Sequence, residues 1–132
     1  MRVLVTGGLG FVGSNLVDML INKDHKVTII DDLSSGTLAN RNPQAKLVHS
    51  DIRNLFKAPI IDKFDIIFHL AAEARIQPSY KNPLRWLQAN IDGTVVVCEY
   101  ARKNNCKVVY AGSSSCYGGK FMNPYTFSKK QA

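Results

Sequence analysis

The sequence predicts an α/β fold with a doubly wound parallel sheet, because short apolar segments alternate with helical patterns along its whole length. Five segments have the composition of buried strands: residues 3–5, 27–30, 47–49, 66–70 and 108–111. Strands that alternate with helices pair in parallel, and right-handed crossovers place helices on both faces of the sheet.

Helical patterns lie between these segments. The first helix shows apolar residues three or four apart: Val12, Leu16, Met19 and Leu20. A longer helix is predicted to begin at Asn82-Pro83, a capping residue followed by proline at the first helical position. Its apolar face is predicted to consist of Leu84, Leu87, Ile91, Val95, Cys98 and Ala101. A last helix begins near Asn123-Pro124, and the sequence stops at Ala132. We therefore expect residues 1–132 to form one domain that is incomplete at its C-terminus.

Composition excludes several classes of protein. The chain has 132 residues, 45% of them hydrophobic, and no apolar run reaches the ~18 residues of a membrane helix. The net charge of +7 is spread over single or paired basic residues with no basic stripe, so nucleic-acid binding is not expected. Three cysteines without metal-ligand spacing predict free thiols, no metal site and a cytoplasmic location.

A glycine-rich turn follows the first predicted strand. Gly8, Gly10 and Gly13 satisfy G-x-G-x-x-G, and Gly7, Gly10 and Gly13 satisfy the G-x-x-G-x-x-G variant. Such glycines permit the tight turn, the approach of a pyrophosphate to the backbone, and close packing of helix on strand. The helix N-terminus then offers N–H groups to the phosphates. The strand before and the helix after this turn predict a dinucleotide site.

An acidic residue ends the second strand, as this kind of site requires. Asp31 is expected to accept hydrogen bonds from the adenosine ribose and to repel a 2′-phosphate, which favours NAD over NADP. Asp32 either shares this task or is a solvated turn residue. Ser35 and Gly36 belong to the loop that is expected to turn beneath the adenosine.

Tyr125 and Lys129 are four residues apart, so on a helix their side chains share one face. A phenol is a weak base, and a nearby cation favours its ionised form. Ser113, Ser114 and Ser115 follow the fifth strand, where open parallel sheets bind their ligands. We therefore predict a catalytic Tyr/Lys pair, with a serine hydroxyl that contacts the reacting oxygen.

Taken together, these segments resemble the extended short-chain dehydrogenase/reductases, in particular the NAD-dependent epimerase/dehydratase group. The matching segments are residues 6–13, 31–33, 51–53, 69–72, 113–118 and 125–129, with Asn90 and Gly93-Thr94 on the long helix. The resemblance covers the whole chain. It implies an NAD-binding Rossmann domain that lacks its last strands and its substrate domain.

The resemblance also implies roles for individual residues in cofactor binding. Phe11 and Val12 would cover the pyrophosphate turn, and Asp51 and Ile52 would flank the adenine, with Asp51 accepting from its amino group. The path of the dinucleotide toward the nicotinamide would be lined by Leu70, Ala71 and Ala72. Asn90 would support the site from the long helix.

In the family, the catalytic Ser/Thr falls on Ser113. Tyr125 would take a proton from a sugar hydroxyl while hydride passes to NAD, and Lys129 would favour the phenolate and bind the nicotinamide ribose. The implied substrate is a nucleotide sugar and the implied reaction an epimerisation. In relatives, the long helix and the tyrosine helix often form a dimer interface, so the resemblance allows a homodimer.

Two departures from the family bear on the chemistry. Dehydratases carry an acidic pair directly after the catalytic Ser/Thr, where this chain has Ser114 and Ser115, so dehydration is disfavoured. The stretch between Tyr117-Gly118 and Tyr125 is shorter than in sugar epimerases. Two alternatives therefore stay open: a truncated, non-catalytic NAD-binding module, and a sister reductase, decarboxylase or dehydratase.

Overall fold

The computed structural model describes residues 1–60, 63–117 and 122–132. A parallel sheet of five strands lies at its centre: β1 (Arg2–Thr6), β2 (Lys26–Asp31), β3 (Lys46–His49), β4 (Ile66–His69) and β5 (Lys107–Tyr110). The strand order is β3-β2-β1-β4-β5, and every neighbouring pair is parallel. The predicted doubly wound fold and all five predicted strands are confirmed, and the strand order reverses between β1 and β4.

Helices connect the strands at both faces of the sheet. They are α1 (Phe11–Ile21), α2 (Ile76–Lys81), α3 (Pro83–Leu87), α4 (Gly93–Asn104) and α5 (Pro124–Gln131), and a π-helical turn, Gln88–Asp92, joins α3 to α4. The predicted starts of two helices are confirmed, because the side chains of Asn82 and Asn123 cap α3 and α5. The sequence did not predict α2. No helix in the described ranges is long and apolar enough to cross a membrane.

The core consists of two apolar layers, one on each face of the sheet. Alternate residues of a strand point to opposite faces, so Val3 and Val5 pack toward α1 whereas Leu4 packs toward α4. The α1 layer continues through Val17 and the α4 layer through Val97, both almost fully buried. Coverage on both faces is the reason why β1 is an uninterrupted apolar run.

The predicted apolar face of the long helix is wrong at three positions and right at Ala101, which is buried. Leu84 and Val95 are 61% exposed, and Cys98 is exposed as well. Besides Ala101, the buried face consists of residues that the prediction did not include: Trp86, Asn90, Gly93, Thr94, Val97 and Tyr100. Asn90 and Thr94 turn inward because each of them finds hydrogen-bond partners in the interior, described below, and this orientation leaves neighbouring apolar side chains on the surface.

The predicted face of α1 is wrong at two positions. Val12 is 64% exposed and Met19 is 51% exposed, whereas Gly13, Val17 and Leu20 are buried. A Cβ atom at Gly13 would lie 2.1 Å from the carbonyl oxygen of Gly7. Only glycine therefore allows this face of α1 to approach the turn, and its close contact orients the helix with Val12 outward.

Candidate active site

A cavity of about 380 Å³ lies at the carboxyl ends of the strands, where the strand order reverses. This is the position at which doubly wound sheets bind ligands. The predicted cofactor residues that line it are Gly7, Gly10, Asp31, Asp32, Ser35, Asp51, Ile52, Leu70, Ala71 and Ala72. The remaining predicted site residues do not line this cavity: Phe11, Val12, Gly13, Gly36, Asn90, Ser113, Tyr125 and Lys129.

The glycine turn forms one wall of this cavity. Gly7 has a φ of +68°, and a Cβ atom there would lie 2.8 Å from the backbone nitrogen of Ala71. The turn therefore brings β1 and the segment after β4 together with no side chain between them. α1 begins at Phe11, and no side chain of the described residues caps it. Its first N–H groups are thus available to a phosphate, as a pyrophosphate site requires.

Asp31 lies at the end of β2 and is 7% exposed. Its Oδ2 atom accepts a hydrogen bond from the Leu9 N–H of the glycine turn (2.9 Å), and Oδ1 accepts one from the Leu33 N–H (2.9 Å). A Cβ atom at Gly36 would lie 3.0 Å from Oδ1, so the following loop passes close to the carboxylate. Asp32 is exposed and accepts from the Ser34 N–H, as the solvated-turn alternative for Asp32 predicts.

Arg53 is a cavity residue that the sequence analysis did not single out, although it belongs to the 51–53 segment. Its Nε atom donates to both carboxylate oxygens of Asp51 at 3.0 Å, and Nη1 donates to Oε1 of Gln88 (3.2 Å). The hydrogen bonds from Arg53 hold the pKa of Asp51 below its usual value, against the effect of burial. Asp51 is therefore a carboxylate whose orientation is fixed by its neighbour.

The amide of Asn90 joins two segments around the site. Its Oδ1 atom accepts from the Glu73 N–H (2.8 Å), and Nδ2 donates to the Glu73 carbonyl oxygen (3.0 Å) and to Oγ of Ser128 on α5 (2.8 Å). Asn90 is 1% exposed and lies in the π-helical turn, a feature that is frequent at functional sites. The segment after β4 and the helix of Tyr125 are thus held by a single side chain.

Ser113 and Tyr125 meet beyond the end of β5. Their hydroxyl oxygens are 3.1 Å apart, and Ser115 Oγ lies 2.8 Å from Ser113 Oγ. Backbone groups of Tyr125 are held as well: its N–H donates to Ser79 Oγ (3.3 Å), and its carbonyl oxygen accepts from Ser128 Oγ (2.8 Å). The structure therefore brings two of the predicted catalytic residues together. The short stretch before Tyr125, including Gly118, lies largely outside the described residues.

Lys129 lies one turn after Tyr125 and is 8% exposed. Its ammonium group donates to the Ala111 carbonyl oxygen (2.9 Å) and lies 4.2 Å from the centre of the Tyr110 ring. Burial lowers the pKa of Lys129 below its usual value. A carbonyl and an aromatic face thus hold a cation on the same helix as the phenol.

Chains with this strand order, a glycine turn at the reversal and an acid at the end of β2 form the dinucleotide-binding Rossmann class, and this chain is one of them. It belongs to the NAD dependent epimerase/dehydratase family, whose model matches residues 3–130. This match confirms the resemblance and the expected cofactor, NAD.

Relatives include both epimerases and decarboxylases. The chain is 36% identical over 121 residues to a putative UDP-glucose 4-epimerase of Methanocaldococcus jannaschii, covering 89% of this chain and 40% of the relative. It is 31% identical to a UDP-N-acetyl-alpha-D-glucosaminuronate decarboxylase of Bacillus cytotoxicus, covering 89% and 38%. A solved UDP-N-acetylglucosamine 4-epimerase of Methanobrevibacter ruminantium is 39% identical with a TM-score of 0.86, covering 98% and 47%. The chain therefore spans less than half the length of these relatives.

Proposed function

We propose that this chain is the cofactor-binding half of an NAD-dependent nucleotide-sugar epimerase. The observation that carries the proposal is the 3.1 Å contact between the Ser113 and Tyr125 hydroxyls, with Lys129 one helical turn away. All three lie beyond the carboxyl end of β5, on the side of the sheet where the glycine turn lies. This arrangement suits proton removal from an alcohol beside a bound dinucleotide.

The residues of the cavity would hold the adenosine and pyrophosphate parts of NAD. The uncapped start of α1 with Gly7 and Gly10 would hold the pyrophosphate, and the carboxylate of Asp31 would accept from the adenosine ribose. Other contacts are proposed from the family: adenine between Asp51 and Ile52, and the nicotinamide side along Leu70, Ala71, Ala72 and Lys129. NAD supplies the group that accepts hydride from the sugar carbon and returns it.

The chain's own residues would manage the proton. The Tyr125 phenolate would take the proton of the sugar hydroxyl, and the Ser113 hydroxyl would hydrogen-bond the same oxygen. The Lys129 ammonium would stabilise the ionised phenol by charge. Return of hydride to the opposite face of the sugar carbon, with return of the proton from Tyr125, would complete an epimerisation.

Epimerisation is preferred to elimination because no carboxylate follows Ser113 directly. Ser114 and Ser115 occupy those positions, and the Ser115 hydroxyl is within hydrogen-bond distance of Ser113. Elimination of water needs an acid or base at the neighbouring carbon, and a serine at its ordinary pKa is a poor one. The decarboxylase relative makes decarboxylation the second candidate.

The test is a turnover screen of the full-length protein with NAD and a panel of UDP-hexoses, UDP-N-acetylhexosamines and UDP-hexuronic acids. The proposal expects interconversion of two sugar epimers with no net change in NAD. Release of carbon dioxide from a hexuronic acid would instead establish the decarboxylase. Binding of NAD without turnover of any sugar would leave the non-catalytic module as the function. A Ser113→Ala variant is the matched control for background activity.

We further propose a homodimer through the exposed faces of α3, α4 and α5. These faces carry Leu84, Val95 and Phe127, which are 61%, 61% and 41% exposed. Apolar side chains grouped on neighbouring helices favour association. Light scattering of the full-length protein should give twice the monomer mass, and Val95→Glu should give the monomer mass.

A further inference from the structure

His69 is a buried titratable group that the proposed chemistry does not use. It ends β4 and is 1% exposed. Its two ring nitrogens contact threonines of different elements: Nδ1 is 2.8 Å from Thr6 Oγ1 on β1, and Nε2 is 3.0 Å from Thr94 Oγ1 on α4. The ring therefore bridges the strand before the glycine turn and the helix behind the site.

The direction of these hydrogen bonds follows from the partners of each hydroxyl. Thr94 Oγ1 donates its proton to the carbonyl oxygen of Asn90 (2.6 Å), so it can only accept from His69, and Nε2 must carry the hydrogen. Nδ1 then accepts from the Thr6 hydroxyl. The Thr6 oxygen in turn accepts the N–H groups of Leu70 (3.2 Å) and Ala71 (3.1 Å). In this hydrogen-bond network, which runs from Asn90 through Thr94, His69 and Thr6 to Leu70 and Ala71, only one placement of the hydrogens satisfies every donor and acceptor.

A proton on Nδ1 of His69 would disrupt this hydrogen-bond network. The new N–H would face Thr6 Oγ1, whose lone pairs already receive two backbone N–H groups. The charge that faces His69 opposes it as well, because Lys129 on α5 repels an imidazolium. The other group against the ring is Tyr110 on β5, with the two ring centroids 5.8 Å apart. Burial and Lys129 accordingly lower the pKa of His69 to about 4.

The two ends of this hydrogen-bond network lie at the candidate site itself. Leu70 and Ala71 line the cavity, so Thr6 fixes its floor. At the other end, Thr94 holds the carbonyl of Asn90, whose side chain holds Glu73 and Ser128. Ser128 bonds to the carbonyl of Tyr125. We propose that His69 is a positioning residue which, as the neutral Nε2–H tautomer, fixes the cavity floor relative to Asn90 and the Tyr125 helix.

The first measurement is the ¹⁵N NMR spectrum of His69 in the full-length protein. The proposal expects one neutral tautomer with hydrogen on Nε2 from about pH 8 down to about pH 5.5. A ring that titrates near the ordinary histidine value of about 6.5, or one that carries hydrogen on Nδ1, would overturn it. This measurement needs no turnover, so its result does not depend on the proposed function. Only the kinetic measurement described next rests on that function, and the two kinds of failure can therefore be told apart.

The second measurement uses Thr94→Val, Thr94→Ser and the matched control Thr28→Val. Thr28 is buried on β2, outside this hydrogen-bond network. The side-chain amide protons of Asn90 should exchange faster with solvent in Thr94→Val, and kcat should fall about tenfold with KM for the nucleotide sugar within about twofold. Thr94→Ser and Thr28→Val should behave as the wild type. Unchanged amide exchange in Thr94→Val, or a Thr94→Ser variant as impaired as Thr94→Val, would contradict the inference.

Discussion

The Ser113 hydroxyl oxygen lies 3.1 Å from the Tyr125 hydroxyl oxygen, although one residue follows β5 and the other belongs to α5. Tyr125 is held at its N–H by Ser79 of α2 and at its carbonyl by Ser128 of its own helix, so its contact with Ser113 is supported by one further element and by the next turn of α5. Two hydroxyls fixed this close together can both contact a single substrate oxygen.

Replacement of Tyr125 by phenylalanine should remove turnover and spare the cofactor site. The change deletes one oxygen, so the ring stays packed while the proton acceptor is lost. We expect kcat of the full-length protein to fall by about 10²–10⁴-fold, with the NAD dissociation constant within about twofold of wild type. Tyr80→Phe on α2 is the matched control, because that side chain is 58% exposed. Turnover retained in Tyr125→Phe would remove the phenol from the mechanism.

Asp31→Ala should relax the choice of NAD over NADP. The substitution removes the carboxylate that would repel a 2′-phosphate, together with the acceptor for the Leu9 and Leu33 N–H groups. We therefore expect weaker NAD binding and a smaller ratio of the NADP and NAD dissociation constants, measured by calorimetry. Asp32→Ala, at the exposed neighbour, should leave this ratio unchanged. An equal loss of selectivity in both variants would show that overall charge, and not Asp31, sets the preference.

The strands could be predicted from the sequence, whereas the inward faces of the helices could be predicted only in part. Buried parallel strands are continuous apolar runs, so β1 and β4 are recognisable without knowledge of their neighbours. The face of a helix that turns inward is the one whose side chains find the best packing and hydrogen-bond partners. On the long helix, Asn90 and Thr94 are polar, but their hydrogen bonds to Glu73 and His69 place them inside, and Val95 lies outside.

The candidate site could be predicted where motifs are local. The spacing of Tyr125 and Lys129 identified a shared helix that the structure contains. Contacts between distant segments left no local signal: Ser128 bonds to Asn90, 38 residues before it, and Arg53 joins Asp51 to Gln88 on another element. Such pairs depend on how the elements pack, which spacing does not encode.

Gly13→Ala should disrupt the glycine turn. Its Cβ atom would lie 2.1 Å from the Gly7 carbonyl oxygen, a backbone atom that cannot move without shifting β1 or α1. We expect a loss of about 1–3 kcal/mol in the free energy of unfolding, measured with urea, and weaker NAD binding. Gly112→Ala is the control, because nothing lies within 4 Å of its added Cβ atom. Equal stability of the two variants would show that α1 can move away from the turn at little cost.

The buried His69 should make the protein less stable in acid. Burial and then Lys129 lower its pKa from 6.5 to about 4. Between these values the unfolded chain binds more protons than the folded one, so stability falls as the pH drops from 6.5 toward 4 and is fully recovered above 6.5. His69 alone should remove about 2 kcal/mol between about pH 7.5 and about pH 5.

Urea unfolding of wild type and His69→Gln over this pH range measures that contribution. The glutamine variant should be less stable at neutral pH, because it disturbs the bonds to Thr6 and Thr94, but its stability should fall less steeply with acid. His25→Gln, in the turn before β2, is the control for the loss of a histidine elsewhere. Since Lys129 faces the same ring, Lys129→Met should also weaken the dependence, by less than His69→Gln does. If the slope with pH were the same in wild type and His69→Gln, the imidazole would be protonated equally easily in the folded and the unfolded state, and burial would not lower its pKa.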